Sequence, residues 1–367
     1  MAGLERFRPA QISMQVRRKS GGLLKLRAGW GRIHKLQAMK RLISLFSALC
    51  LVGTATQLQA AEPLHVEYAG GEGPGKGKHV VLIAGDEEYR SEEFMPALGR
   101  ILAKHHGFKV TVLFSVDDKG FIDPTNQKSI TNPAALDSAD AIVTGIRFRK
   151  YPDEAMAKFD AAMKRGVPVV GLRTSTHAFQ FKRDTEYKAY NGWGKNTLGE
   201  KWVSHWGKHK KEATLGVIEE ANAKHPVLNG VKNIFGDTDV YEAAPPADAT
   251  ILVRGQVLKT MEADSGPADY SKKNRATGKE QGINDPMMPV IWTRELDKQR
   301  IVTCTMGAAT DLQSECLRRA VINGVFWGLR LDVPEKANVD VVGEFQKIMY
   351  GFGTYRKNVK PSDHALK

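Results

Sequence analysis

The chain has 367 residues, 42% of them apolar and 26% charged, with three cysteines. This composition excludes a wholly disordered chain, a collagen-like repeat, a multi-span membrane protein, a disulfide scaffold and a four-cysteine zinc module. The net charge is +13, but residues 1–61 hold 11 of the 54 basic groups and only one of the 41 acids, Glu5; the remainder is near neutral and carries no electrostatic footprint for nucleic acid.

Met39-Lys40-Arg41 precedes the apolar run LISLFSALCLVG (42–53), and TATQLQA with the small pair Ala60-Ala61 follows it. A positive start, a short apolar stretch and a small-residue cleavage site read as a signal peptide over 39–61. The run is too short to span a bilayer, so export without a stable membrane anchor is expected. Residues 1–38 are basic, Gly-rich and without apolar period, and are read as an extension upstream of the true start at Met39. Residues 62–78, ending in GGEGPGKGK, read as a flexible linker.

The body alternates strands and helices. HVVLIAG (79–85) is a continuous apolar run ending in Gly, the pattern of a buried parallel strand. Residues 91–106 place Phe94, Leu98, Ile101 and Leu102 at helical spacing. FKVTVLF (108–114) and ADAIVTGI (139–146) read as strands, then a helix from Pro152 stops at Gly166, and VPVVGLR (167–173) is a fourth strand. This βαββαβ order predicts an α/β fold with a doubly wound, mostly parallel sheet. Residues 182–213 show no period and read as a long functional insertion. Residues 215–221, 239–245, 249–258, 289–296 and 299–307 read as further strands, 272–286 as a polar loop, 311–329 as a helix, and 331–367 as an extended C-terminal arm with a frayed end. Cys304, in the run IVTCTMG, reads as a buried structural thiol.

Ligands in a doubly wound sheet sit beyond the carboxyl ends of the strands. Asp86, Glu87, Glu88 and Tyr89 follow the first strand, Arg147 the third, and Arg173, Thr174, Ser175 and His177 the fourth. Glu87, Glu88 and His177 are the candidate acid–base groups. Asp86, Tyr89, Arg147, Arg173, Thr174 and Ser175 are candidate substrate contacts, joined from the insertion by Trp202, His205 and Trp206, with Trp193 as a further stacking face. The elbow Gly171-Leu172-Arg173-Thr174-Ser175 has Arg173 at its centre, where a nucleophile would stand. His205 and His209 are four apart and are candidate zinc ligands, although their own segment supplies no acid; no other cofactor is expected.

Several segments together resemble one family. HPVLNGV (225–231), DTDVYEA (237–243), PVIWTREL followed by RIVTCTMG, and LRRAVINGVFWGL (317–329) resemble the ThuA-like, or trehalose-utilisation, domain over about residues 79–330. The resemblance implies a class I glutamine-amidotransferase-like fold, a variant of the flavodoxin-like sheet, and an association with sugars and keto-sugars. Arg173 occupies the place of that superfamily's cysteine, which removes glutaminase chemistry. Met306-Gly307-Ala308 lacks a histidine that the family often has after the glycine. Two readings follow: an exported enzyme that hydrolyses or isomerises a small carbohydrate, or a non-catalytic sugar- or polymer-binding module on the same fold.

Overall fold

The computed structural model describes residues 62–366. The expected signal peptide at 39–61 and the extension at 1–38 lie outside the described residues. Strand β1 (Val66–Tyr68) precedes β2 (His79–Gly85), helix α1 (Ser91–His106), β3 (Lys109–Leu113), β4 (Ala141–Ile146), α2 (Asp153–Lys164) and β5 (Val169–Leu172). Strands β6 (Thr214–Ile218), β7 (Ile234–Gly236), β8 (Thr250–Val257), β9 (Ser271–Lys273), β10 (Glu280–Gly282), β11 (Met288–Leu296) and β12 (Gln299–Cys304) follow, then helix α3 (Glu315–Gly328).

Ten strands form one mixed sheet in the order β1-β3-β2-β4-β5-β12-β11-β8-β6-β7. The central strands β3, β2, β4, β5 and β12 run parallel. Their alternation sorts side chains by face. Val80, Leu82, Val143 and Val170 pack with Phe94 and Leu98 of α1 and with Leu317 and Val321 of α3. Val81, Ile83, Ile142 and Val169 pack with Met156 and Phe159 of α2. Helices therefore cover both faces, which is why the strands are apolar throughout rather than alternating. The fold is the expected α/β, doubly wound arrangement. Gly107 ends α1 in the left-handed region at φ 79°, returning its N–H to the carbonyls of Ala103 and Leu102. Cys304 is buried, and burial pushes its thiol up to about 12.

Four sequence expectations need correction. Within the supposed linker, β1 pairs antiparallel with β3, and Gly71 and Gly75 bond back to the carbonyls of Gly107 and His106 at 3.1 and 2.8 Å. Residues 239–245 make only an isolated bridge, His205 with Tyr241, because their polar side chains turn inward. The 272–286 stretch overlaps a two-stranded hairpin, β9 with β10. The arm does not fray at its end: His364 is buried, and its carbonyl accepts the Tyr68 hydroxyl at 2.8 Å. No described helix is long and apolar enough to cross a membrane.

Candidate active site

The loop after β2 divides its carboxylates between different tasks. Asp86 is buried; one oxygen accepts the N–H groups of Glu88 and Tyr89 at 2.7 and 2.9 Å, and the other accepts the Thr174 hydroxyl. Such an Asx-type turn fixes the loop. Burial, followed by the neighbouring Glu87, raises the Asp86 carboxyl above the usual range. Glu87 gives one oxygen to Arg147 at 2.6 Å and the other to Arg149 at 2.7 Å. Arg149 is itself fully buried, and it also donates to the carbonyls of Arg147 and Pro124. Asp86 and Glu87 thus hold the loop in shape, leaving Glu88 as the carboxylate offered to the cleft. Its Oε1 lies 3.3 Å from His209 Nε2 and its Oε2 3.9 Å from Arg147 Nε.

The elbow after β5 is turned inward. Arg173 has φ 43°, in the left-handed region that the elbow geometry demands, and is only 1% exposed. Its guanidinium donates to the carbonyls of Asp239 and Thr305 at 2.7 and 2.8 Å, to Asp239 Oδ1 at 3.1 Å and to the Tyr89 hydroxyl at 3.2 Å. It also lies 3.8 Å from the centre of the Tyr241 ring and 4.7 Å from that of Tyr89. With both terminal nitrogens engaged, two tyrosine rings within cation–π reach and its unpartnered Nε sealed from solvent, this cation binds the fold together rather than facing a substrate. The same correction applies to its neighbours. Ser175 is buried and donates to the Thr144 carbonyl at 2.9 Å; Thr174 is buried on Asp86; Tyr89 is buried between Arg173 and Tyr350.

The insertion supplies the other wall. Trp206 is 0% exposed, with its indole N–H on the Ile283 carbonyl at 2.7 Å, and Trp193 is buried against Phe159 and Phe179. Neither can stack on a ligand, whereas Trp202 is 36% exposed. Its ring lies 5.6 Å from that of His177 and 5.7 Å from that of His205. His205 and His209 are not on a helix. They are brought together, ring centres 4.5 Å apart, by one buried acid remote in sequence. Asp239 meets His205 Nδ1 through Oδ2 at 2.7 Å and His209 Nδ1 through Oδ1 at 2.9 Å.

These contacts set the protonation states. For Asp239, burial alone would raise the carboxyl, but Arg173 and the two imidazoles outweigh it and hold it far below the ordinary range. Hydrogen bonds to Asp239 and then Glu88 raise His209 to about 9. Burial acts upward on Glu88, yet His209, Arg147 and Arg173 together leave it below its usual value. His177 is lowered well below the ordinary histidine value, first by burial and then by the neighbouring Arg147, Arg173 and His205. At neutral pH the cleft therefore presents an anionic Glu88, a cationic His209 and a neutral His177. This arrangement can give a proton, take a proton and orient oxygens.

A metal ion is compatible with part of this set. One ligand atom each from His205, His209 and Asp239 lies within 4.8 Å of the others. Asp239, however, already meets Arg173 and both imidazoles. It fits better as the acid behind two metal-binding imidazoles. Sequence reasoning gave no site role to Asp239, Tyr350 or Phe352, and placed Phe148 only as the residue beside Arg147 after the third strand. Asp239 stood inside the DTDVYEA motif, and its buried placement was the missing information.

The comparisons extend this picture. The sequence profile of the ThuA family, described as trehalose utilisation, matches residues 79–328. The chain belongs to the ThuA family. Among solved structures, a ThuA-like protein from Parabacteroides merdae ATCC 43184 shares 13% identity with a TM-score of 0.47, covering 80% of this chain and all of that one. A ThuA-like protein from Bacteroides uniformis ATCC 8492 shares 14% at a TM-score of 0.44, covering 70% and 92%. A glutamine amidotransferase from Methylobacillus flagellatus shares 10% at 0.32, covering 74% and 98%. These likenesses say nothing about chemistry. No curated protein matches the sequence significantly.

Proposed function

We propose that this ThuA-family protein is an exported carbohydrate-active enzyme that hydrolyses or isomerises a sugar or keto-sugar at the Glu88–His209 pair. The observation that carries the reading is an anionic carboxylate 3.3 Å from an imidazolium that a buried acid, Asp239, holds from behind. Glu88 then serves as the base that takes a proton from water or from a carbon beside a carbonyl. His209 serves as the acid that gives a proton to the departing or enolising oxygen. Arg147 and the neutral His177 orient hydroxyls, and the exposed Trp202 offers an apolar face to a sugar ring. Glu87 takes no proton-transfer role, since both its oxygens are engaged by arginines. The family's description, trehalose utilisation, supports the substrate class. The signal-peptide pattern at 39–61 supports export, and the N-terminal residue of the mature protein tests it.

Zinc fits the same groups as a second reading, because the acid-backed imidazoles of His205 and His209 are the usual way to present histidine to a metal. His205 and His209, with Asp239 the acid within reach of both, would hold the ion, and it would polarise a sugar oxygen.

The test is a proton-NMR time course of the purified protein with trehalose, sucrose, maltose, lactose and their 3-keto derivatives, with and without zinc. Conversion of one sugar, lost in Glu88→Gln and His209→Ala, upholds the enzyme. Binding without conversion transfers the site to a sugar-binding module. No binding of any sugar overturns both.

A further inference from the structure

The residues around Glu88 form a closed circuit of contacts. Arg147 lies 4.6 Å from the Phe148 ring centre; Phe148 is 4.9 Å from His177, His177 5.6 Å from Trp202, and Trp202 5.7 Å from His205. His205 is 4.5 Å from His209, which is 5.6 Å from Tyr350. Tyr350 leads through Gly351 to Phe352, whose ring centre is 5.1 Å from the Arg147 guanidinium, and the circuit is complete. Glu88 spans it from Arg147 to His209.

Two stations of this rim, Tyr350 and Phe352, belong to the C-terminal arm, beyond the 79–328 region that matches the family. The arm is firmly seated there. The Gly351 N–H donates to the Glu88 carbonyl at 2.7 Å, and the Tyr350 hydroxyl donates to the Asp237 carbonyl at 3.1 Å. Arg356 grips both oxygens of Glu93 on α1 at 2.7 and 2.9 Å. Against this fixed backbone, Phe352 is 61% exposed. Among the described residues, Trp202 and Phe352 are the two exposed large aromatic side chains, and both fall on this rim. They stand at opposite stations, with the acid–base pair between them.

We infer that the C-terminal arm completes the substrate site, and that Phe352 is a specificity-determining residue whose exposed face receives the second ring of a disaccharide. The inference rests on the reading of the Glu88 cleft as a sugar site. A ring on Trp202 and another near Phe352 would bring the linkage between them over Glu88 and His209. A monosaccharide reaches only one of the two faces. The Phe352 ring lies over the Arg147 guanidinium and is otherwise open, so it offers a ligand an aromatic face beside a cation.

The experiment is calorimetric titration of the full chain, wild type and the variants Phe352→Ala, Phe352→Tyr and Trp202→Ala, with the four disaccharides, their 3-keto derivatives and glucose. Loss of the Phe352 face is expected to weaken disaccharide binding about ten-fold or more, while changing glucose binding by less than about two-fold. Phe352→Tyr restores the disaccharide affinity, and Trp202→Ala weakens binding of both sugar classes. Thermal melting of Phe352→Ala at the wild-type temperature shows that the fold is intact. Equal disaccharide affinity in wild type and Phe352→Ala overturns the role of the arm while the sugar site stands. Absence of sugar binding by the wild type overturns the sugar site and this inference with it.

Discussion

Asp239→Asn tests the architecture of the cleft most directly. The buried carboxylate accepts Arg173 at 3.1 Å, His205 at 2.7 Å and His209 at 2.9 Å. Asparagine keeps the shape and one acceptor oxygen, but its amide N–H₂ must face a donor on the other side. One charge-assisted bond is lost, worth about 1.5–3 kcal/mol. The remaining cations also lose their counter-charge, which for a buried pair costs about 3–5 kcal/mol when nothing else compensates. Arg173 retains two carbonyls and two tyrosine rings, so the total should lie near the lower end, about 3 kcal/mol. At roughly 2–3 °C per kcal/mol for a body of this size, the melting temperature should fall by about 6–9 °C. In the same variant His209 loses its principal anion, and its titration midpoint moves down from about 9 toward the ordinary value of 6.5. Calorimetry and imidazole NMR read the two effects separately. A melting temperature within about 1 °C of wild type, together with an unmoved His209, would refute the claim that Asp239 organises the site.

The two adjacent glutamates should separate cleanly. Glu87→Gln breaks a largely buried clamp on Arg147 and Arg149 and should cost about 3–5 kcal/mol in urea unfolding, whereas Glu88→Gln should melt near wild type and lose turnover. In the metal-free wild type, His209 should titrate near pH 9; because its folded value is raised from 6.5, the stability it contributes is complete below about 6.5 and is lost as the pH rises through about 9. A midpoint near 6.5 would contradict the Asp239 and Glu88 contacts. Trp206→Ala should destabilise by about 3–5 kcal/mol, as expected for an indole emptied from a core, while Trp202→Ala should leave the melting temperature unchanged; the reverse order would mean that the two tryptophans have been assigned to the wrong sides of the insertion.

How much of this was legible in the sequence depended on the range of the interactions. Strands such as HVVLIAG and helices such as 91–106 announce themselves because both faces of the sheet are covered, so apolar continuity and 3.6-residue spacing are local facts. Residues 239–245 alternate like a strand, yet their polar members are drawn inward. Glu242 takes the Ser204 hydroxyl at 2.7 Å and the Arg275 N–H at 2.6 Å, and Asp239 takes the two histidines. No pattern within seven residues can reveal partners thirty residues away. The rule that ligands gather at strand carboxyl ends singled out Glu88, Arg147 and His177, which the structure brings to one circuit of contacts. It could not tell them from Asp86, Glu87, Arg173 and Ser175, because these stand on the same loops and differ only in which way the side chain turns. His205 and His209 were legible as a pair but not as one held by Asp239. Tyr350 and Phe352 carried no signal of a site, since an extended arm has no period and its docking partners lie more than a hundred residues upstream.

The inward elbow at Arg173 bears on what mutation could make of this chain. In sequence, a single substitution puts a cysteine at the centre of this elbow. In space the change is much greater. A thiol in place of Arg173 would inherit a left-handed backbone at φ 43° and face the Tyr241 ring and the carbonyls of Asp239 and Thr305, closed off from water and from any amide. It would also remove the cation around which those groups are arranged. Arg173→Cys would therefore yield a weakened scaffold rather than an exposed nucleophile, and a reactive thiol here would require the loops at 239–241 and 305–311 to be rebuilt before the elbow itself could change.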